Sequence, residues 1–331
     1  MSRKNKLADL NLFPAGRDMK QPLVSVIMPL YNKEYQVLRS IESVCEQSIN
    51  DFELIVINDG STDSGPDLLR SFPDKRIKVF DQKNKGVSAA RNRGVQEAQA
   101  DLVAFLDADD EWQPTFLETI LKLKQEYPTA SVFATGYSYL EQDGSRRQPI
   151  INGLPAASWS GILDNYFQVA AQSDPPLWSS AIAVTKEALT AINGFPVGIK
   201  SGEDLLTWAR LAVKYKIAYD TSHLALFRQR ASTHEAPTRT PERPDIVAAE
   251  LGKLLQARET SHKKDLRHYM AWWYKNRANM HLRLQQRPLA FKEVIRMGFY
   301  HLDSKFFMYA ICLLLPFPLL QQLIWTHKNN S

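Results

Sequence analysis

Two cysteines in 331 residues, Cys45 and Cys312, are too few for a disulfide framework or a cysteine zinc site. Cys45 falls on an apolar helix face, which predicts a core thiol. Long hydrophobic runs are also missing. The most apolar stretch, FFMYAICLLLPFPLL over 306–320, is shorter than the ~20 residues a membrane-spanning helix needs, and Pro316 and Pro318 interrupt it. No apolar segment follows the basic start MSRKNKLADL, so a secretory signal is not expected and the cytosol is the default. A GxGxxG after the first apolar run is absent, which argues against a Rossmann dinucleotide site. GxxxxGK[ST] is absent as well, which excludes a P-loop. Charge of one sign is scarce: 41 Lys and Arg against 36 Asp and Glu leave a formal +5. That balance suits an anionic nucleotide or an anionic membrane surface and does not point to nucleic acid.

What the chain does have is LVAFLDADD over 102–110. The apolar start reads as a central strand of a parallel sheet, and the acids Asp107, Asp109 and Asp110 fall where it ends. Ligands of open α/β sheets bind at such strand ends. In an extended chain Asp107 and Asp109 would point to one side. Crowded carboxylates repel unless a cation sits among them, and a few hard oxygen ligands favour Mg²⁺ or Mn²⁺ shared with a phosphate. A polar turn capping the next helix is the simpler reading of an isolated DxD.

The neighbouring elements give that strand its context. LVSVIM (23–28) reads as a first strand ended by Pro29, and Val37, Leu38, Ile41, Val44 and Cys45 then recur at helical spacing. FELIVI (52–57) is a second strand ending in Asn58, Asp59 and Gly60, and STDSGPDLL opens a second helix. A third strand is expected over 76–80 and a third helix over 86–98. The β-α repeat implies a doubly wound, mostly parallel α/β sheet flanked by helices. Its strand ends would gather Tyr31, Asn32, Asp59, Asp107 and Asp109 on one edge. Asp59 can accept hydrogen bonds from a base or ribose, or serve as a turn aspartate. Arg91 could reach a diphosphate, or be a solvated helix charge.

Further on, a helix is expected over 114–127 and a hairpin over 130–151 around QDGS. An acceptor-side loop with a short helix is expected over 156–176, a strand over 178–184, and a helix over 185–192 closed by Asn193 and Gly194. In SGEDLLTWARLA (201–212) Leu205, Leu206, Trp208, Ala209 and Ala212 form a packing face, which puts Glu203 and Asp204 at the helix start. Acids favour that position through the helix dipole alone. Thr233 to Asp245 reads as a linker, and 246–286 as helical, with Tyr269, Trp272, Trp273 and Tyr274 as a core cluster.

The order VSVIMPLYNKE, ELIVINDGSTDSG, NKGVSAARNRG, VAFLDADDEW resembles the family-2 glycosyltransferases of GT-A fold. The resemblance implies a nucleotide-sugar donor, with UDP the family's commonest choice. It implies that Pro29, Tyr31 and Glu34 line the nucleotide pocket, that Asp59 holds the base and that Arg91 lies near the diphosphate. Asp107 and Asp109 would then form a metal-binding DxD for Mn²⁺ or Mg²⁺. NGFPVGIKSGED resembles the family's GGF…ED segment, which implies Asp204 as general base and Glu203 as its orienting partner. LALFRQR (224–230) resembles the family's YRxH segment, with Phe227 for the tyrosine and Arg230 at the histidine position. His234, slightly further on, is a candidate metal or phosphate contact, or a solvated loop histidine. The QxxRW of processive synthases is missing, so a single sugar transfer is expected.

The implied organisation is a lead-in (1–21), a GT-A unit (22–232) and a helical tail (245–331). The GT-A unit divides into a nucleotide-sugar half (22–112) and an acceptor half (113–232). In the tail, 306–325 is expected to touch the cytosolic face of a membrane as an interfacial or re-entrant anchor, or to be a buried terminal helix. One base and one metal suffice for direct displacement with inversion, and no nucleophile for a double displacement stands out. The expected acceptor is a glycan or a lipid-linked acceptor of cell-surface polysaccharide or lipopolysaccharide synthesis. A nucleotidyltransferase is the rival enzyme and an inactive nucleotide-sugar-binding scaffold the rival non-enzyme.

Overall fold

The computed structural model describes residues 21–141, 143–155, 158–228, 240–257, 262–316 and 319. The lead-in through residue 20, Arg230, His234 and most of 317–331 lie outside the described residues.

Four strands come first: β1 (Val24–Leu30), β2 (Phe52–Asp59), β3 (Ile77–Gln82) and β4 (Leu102–Phe105). They pair in parallel in the order β3-β2-β1-β4, with Val26 opposite both Leu54 and Ala104. The helices between them are α1 (Val37–Cys45), α2 (Gly65–Arg70) and α3 (Val87–Glu97). Period-2 alternation divides each strand between two cores. Val24, Val26, Met28, Leu54, Val56 and Ala104 face a layer that holds Val37, Ile41 and Val44 of α1. Ile27, Ile55, Ile57, Val103 and Phe105 face the opposite layer. Burial of both faces is why these strands read as unbroken apolar runs. Each wholly buried Val, Ile or Leu contributes about 1.5–3 kcal/mol.

The remaining strands are β5 (Glu111–Trp112), β6 (Ala130–Leu140), β7 (Arg146–Arg147), β8 (Ser160–Ile162), β9 (Ile182–Thr185) and β10 (Lys216–Arg228). The sheet continues β4-β9-β6-β10-β5. β9 runs antiparallel to β4 and to β6, so β6 and β10 run with the first four strands. Helices α4 (Phe116–Glu126), α5 (Tyr166–Gln172), α6 (Lys186–Ala191) and α7 (Glu203–Lys214) complete this part. Leu206, Trp208 and Ala209 of α7 are buried, as the packing face predicts.

Three local expectations need correction. Asp107 to Asp110 is a turn closed by Asp110 N–H to Asp107 C=O at 3.0 Å, so the acids do not alternate along an extended strand. The run expected as a strand from Trp178 begins as a 3₁₀ turn, Ser179–Ala181, and is strand only from Ile182. The return strand of the QDGS hairpin is just Arg146–Arg147.

Among the described residues the tail holds four helices: α8 (Ile246–Gln256), α9 (Lys263–Arg283), α10 (Arg287–Tyr300) and α11 (Ser304–Cys312). A single helical run over 246–286 is thereby replaced by two helices. Leu251, Leu266, Tyr269, Trp273 and Met297 share one core with Ile27 and Phe105 of the sheet. Tyr269, Trp273 and Tyr274 are buried, as a core cluster should be. Arg277, nine-tenths or more buried, ion-pairs with Asp245 at 3.0 Å and with Glu293 at 3.2 Å. No helix among the described residues is long and apolar enough to cross a membrane.

Candidate active site

The carboxyl ends of β1, β2 and β4 open into a cavity of about 950 Å³. Pro29, Tyr31, Asp59, Arg91, Asp107, Asp109 and Glu203 all line it, together with Lys33, Asn84 and Lys200. Two predicted site residues stand elsewhere. Glu34 is not among the lining residues. Its carboxylate accepts from the N–H and hydroxyl of Ser64, and its own N–H donates to Asp63 at 2.9 Å, so it ties the loop after β1 to the loop after β2. Asp204 is not a lining residue either.

Asp59 is buried at the end of β2. It accepts from the Gln82 amide at 2.7 Å, from Lys85 N–H at 2.9 Å and from Gly86 N–H at 2.8 Å. Three donors fix the carboxylate and with it the loop that leads into α3. Gly86 precedes α3 with φ of 87°, a conformation that L side chains rarely adopt. No neighbouring atom lies within 4 Å of where its Cβ would be, so backbone there stands open to the cavity.

Arg91 is the hub. α3 lies so close to β1 that a Cβ on Gly94 would sit 2.3 Å from Ile27, which brings Arg91 against the strand tips. Its guanidinium donates to Asp107 at 2.8 Å and lies 3.6 Å from Glu203 Oε1. It also faces the Phe195 ring at 5.3 Å. Burial works against the charged guanidinium, but Asp107 and Glu203 outweigh it and hold its pKa above the ordinary value. Residues 91, 107 and 203 thus meet across more than a hundred positions of chain.

The acids at the end of β4 have different fates. Asp107 and Asp109 face the cavity, and Asp109 takes an ion pair from Lys33. Asp110 turns inward, where it meets the Ser180 hydroxyl and the Trp178 indole N–H, with its other oxygen buried and unpartnered. Burial, then the charges of Asp107 and Asp109, push its carboxyl well above the usual range. The paired Asp107 and Asp109 suit a hard divalent ion. An ammonium and a guanidinium already lie against them, so the site draws positive charge, and oxygen donors match Mg²⁺ or Mn²⁺.

Glu203 and Asp204 open α7. Glu203 is held at the cavity wall, and burial followed by the charge of Asp204 pushes its carboxyl up to about 7, against the pull of Arg91. Burial also raises Asp204, and Arg91 opposes this. Gly202 before them has φ of 83°, and a Cβ there would meet the Trp273 ring of α9 at 2.5 Å. The tail therefore touches the residue that sets the start of α7.

Sequence reasoning missed Lys33, Lys200, the inward role of Asp110 and the Trp273 contact. Lys33 and Lys200 were visible inside the motifs PLYNKE and NGFPVGIKSGED. No sequence signal points Trp273 at Gly202.

The family model described as Glycosyl transferase family 2 matches residues 25–188. TuaG of Bacillus subtilis, named for teichuronic acid biosynthesis, is 34% identical over 202 residues, 60% of this chain and 75% of that protein. An uncharacterised glycosyltransferase of Rickettsia bellii is 36% identical over 218 residues, 65% of this chain. The chain spans only 30% of that relative's length and 36% of its Rickettsia conorii counterpart's. Among solved structures, S. aureus TarS 1–349 in complex with UDP-GlcNAc superposes with a TM-score of 0.64 at 18% identity, covering 93% of this chain and 92% of that one. This likeness shows a shared fold.

Proposed function

The chain belongs to the family 2 glycosyltransferases, and from that premise we propose that it moves one sugar from a nucleotide-sugar donor to a glycan or lipid-linked acceptor with inversion. The observation that carries the reading is the Asp107–Arg91–Glu203 bridge, which joins the strand-tip acids to the acids of α7 in one cavity. Asp59, Asn84 and the open backbone at Gly86 suit a base and ribose. Arg91, Lys33 and Lys200 suit a diphosphate. The UDP-GlcNAc bound by TarS favours a UDP-sugar donor. The name of TuaG, for teichuronic acid biosynthesis, favours a polysaccharide acceptor.

Asp107 and Asp109 would hold Mn²⁺ or Mg²⁺, which supplies Lewis-acid neutralisation of a departing nucleoside diphosphate. Arg91 keeps Asp107 oriented and shares that charge. Lys33 holds Asp109 and stands ready for a phosphate oxygen. Asp204 takes the proton of the acceptor hydroxyl as it attacks, and Glu203, clasped by Arg91, fixes the start of α7 beside it. One observation favours exchanging the two acids: Glu203 lines the cavity, and its carboxyl, raised to about 7, has the basicity a general base needs near neutral pH.

The tail offers the membrane contact. Phe299, Phe307, Ile311 and Leu314 are exposed at 73%, 60%, 59% and 83%; Lys305 lies among them in sequence, and Lys292 and Arg296 just before them. Such an apolar face with basic residues beside it fits an anionic interface. The GT-A unit of 22–232 and the tail of 245–331 then divide donor chemistry from docking. The test of the whole reading is product analysis with a panel of UDP-sugars and Mn²⁺. Free nucleoside diphosphate is the expected product. Sugar 1-phosphate, the leaving group if the uridylyl group is transferred instead, would make the protein a nucleotidyltransferase, and tight binding with no product would make it a scaffold.

A further inference from the structure

On the far side of α9 from Gly202, the tail gathers a second set of ligand-type side chains. His268 comes from α9, and His301 and Asp303 from the connection between α10 and α11. One donor atom from each lies within 4.8 Å of the others, and all three residues are half-buried. The two imidazole rings meet edge to face, centroids 3.5 Å apart at 65°. A cavity of about 120 Å³ adjoins them, lined by His268, Trp272, Lys275, Asp303 and Lys305. Nothing in the proposed sugar transfer uses this cluster.

We propose that His268, His301 and Asp303 bind a single divalent transition-metal ion, zinc foremost, that fastens the α10–α11 connection to α9. Two imidazoles and one carboxylate are a donor set for borderline ions such as Zn²⁺, Co²⁺ or Ni²⁺, whereas Mg²⁺ prefers oxygen donors throughout. Zinc ligated at about 2.0–2.2 Å with tetrahedral angles sets donor separations of about 3.4 Å, within reach of small rotations from the present arrangement. Water completes the fourth position.

The carboxylate is already oriented. Asp303 Oδ1 caps α11 by accepting from Phe306 N–H at 2.9 Å, which leaves Oδ2 for an ion. His301 extends the chain directly after α10, whose Phe299 carbonyl accepts from Arg267 of α9 at 3.0 Å. The same two helices are therefore already in register on either side of the site. Lys275 and Lys305 stand near Asp303, and Lys305 donates to the Gln172 carbonyl at 3.2 Å. Their charge opposes any dication, so nitrogen ligation has to carry the binding. That again selects zinc over magnesium. The ion would set the direction in which α11 leaves α10, and with it the exposed face described above.

The test uses the full chain, stripped with chelator and titrated with ZnCl₂ by calorimetry and with CoCl₂ by absorption. One saturable equivalent is expected, with Co²⁺ giving the visible bands of a tetrahedral nitrogen–oxygen site. His268→Ala with His301→Gln should abolish both signals. Asp303→Asn keeps the helix cap and should weaken binding by about tenfold or more. Asp107→Asn with Asp109→Asn should leave this equivalent in place, which separates it from the proposed active-site metal. Circular dichroism checks that each variant is folded. A folded wild-type protein without a saturable equivalent would overturn the proposal, and so would unchanged binding in the double histidine variant.

Discussion

The cavity wall and the tail seam both hold buried charge, but they use it differently. At the wall, Arg91 joins Asp107 and Glu203 at the edge of a large cavity, and Glu203 is pushed toward neutrality. At the seam, Arg277 joins Asp245 and Glu293 deep between α9 and α10, with the Trp273 indole N–H also donating to Asp245 at 3.1 Å. Open to a ligand, the first network has charge to share. The second meets only a cavity of about 160 Å³ and spends most of its charge within itself. Buried ion pairs gain little over apolar packing, yet losing one partner is costly. The wall should therefore register mutation in rate and the seam in stability.

The largest effect is expected at the start of α7, just behind the wall. Asp204→Asn should cut turnover by roughly 10²–10⁴-fold with donor affinity nearly intact, as loss of a general base does. A helix-terminal charge alone would change stability by only about 0.3–1 kcal/mol and leave turnover standing. Turnover, donor affinity and melting temperature on one sample decide. Near-normal turnover would remove Asp204 from the mechanism.

Acidity distinguishes the two members of the pair. With its pKa raised to about 7 from 4.5, Glu203 is protonated below that value and ionised above it. If Glu203 is the base, kcat rises with pH through about 7, and Glu203→Gln abolishes the limb together with turnover. If Asp204 is the base, Glu203→Gln keeps an acidic limb and loses less rate. The same raised pKa means the native state holds the Glu203 proton more tightly than the unfolded chain. Stability from this group is therefore present below about 4.5 and is lost as pH climbs through about 7, and Glu203→Gln should flatten melting temperature against pH over that window.

The seam comes next. Arg277→Met should destabilise by about 3 kcal/mol, because Asp245 loses its arginine and buried Glu293 keeps only Arg296, at 3.3 Å. Denaturant unfolding measures this, and donor affinity measured where the variant is folded should match wild type. A large loss of affinity there would collapse the distinction between the two regions. Asp109→Ala is expected to remove the tightening of UDP-sugar binding by Mn²⁺ while the fold survives. Calorimetry with and without the metal reads it, and unchanged Mn²⁺ dependence would exclude the strand-tip acids as ligands. Smallest in stability terms, Phe299→Ser with Phe307→Ser should shift melting little yet lower sedimentation with anionic liposomes. Equal sedimentation of both proteins would detach this face from membranes.

How much of this could be read from the chain follows from range. β1, β2 and β4 were legible because each is buried on both faces and writes an unbroken apolar run. Asp59, Asp107 and Asp109 were legible because they end those runs. The turn at Asp107 to Asp110 was not, since the expected alternation took no account of the Ser180 hydroxyl, which accepts from Asp107 N–H at 3.0 Å and donates to Asp110. That partner lies some seventy positions away. The position of Glu203 against Arg91 depends on α3, α7 and β1 packing together, which no local pattern states. Glu34 was assigned by resemblance to a pocket from which Ser64 holds it back.

The touch between Gly202 and Trp273 carries a lesson for anyone recombining such proteins. A tail grafted from a cousin would bring its own side chain to that spot, and a smaller ring there would leave the start of α7 without a backstop. A chimaera could thus look well made, bind its donor and still run slowly, its fault lying in a tryptophan seventy residues downstream of the acids it steadies. Swapping acceptor-side loops while keeping that indole is the safer cut, and screening the indole itself offers a dial on rate that leaves every polar group in the cavity unchanged.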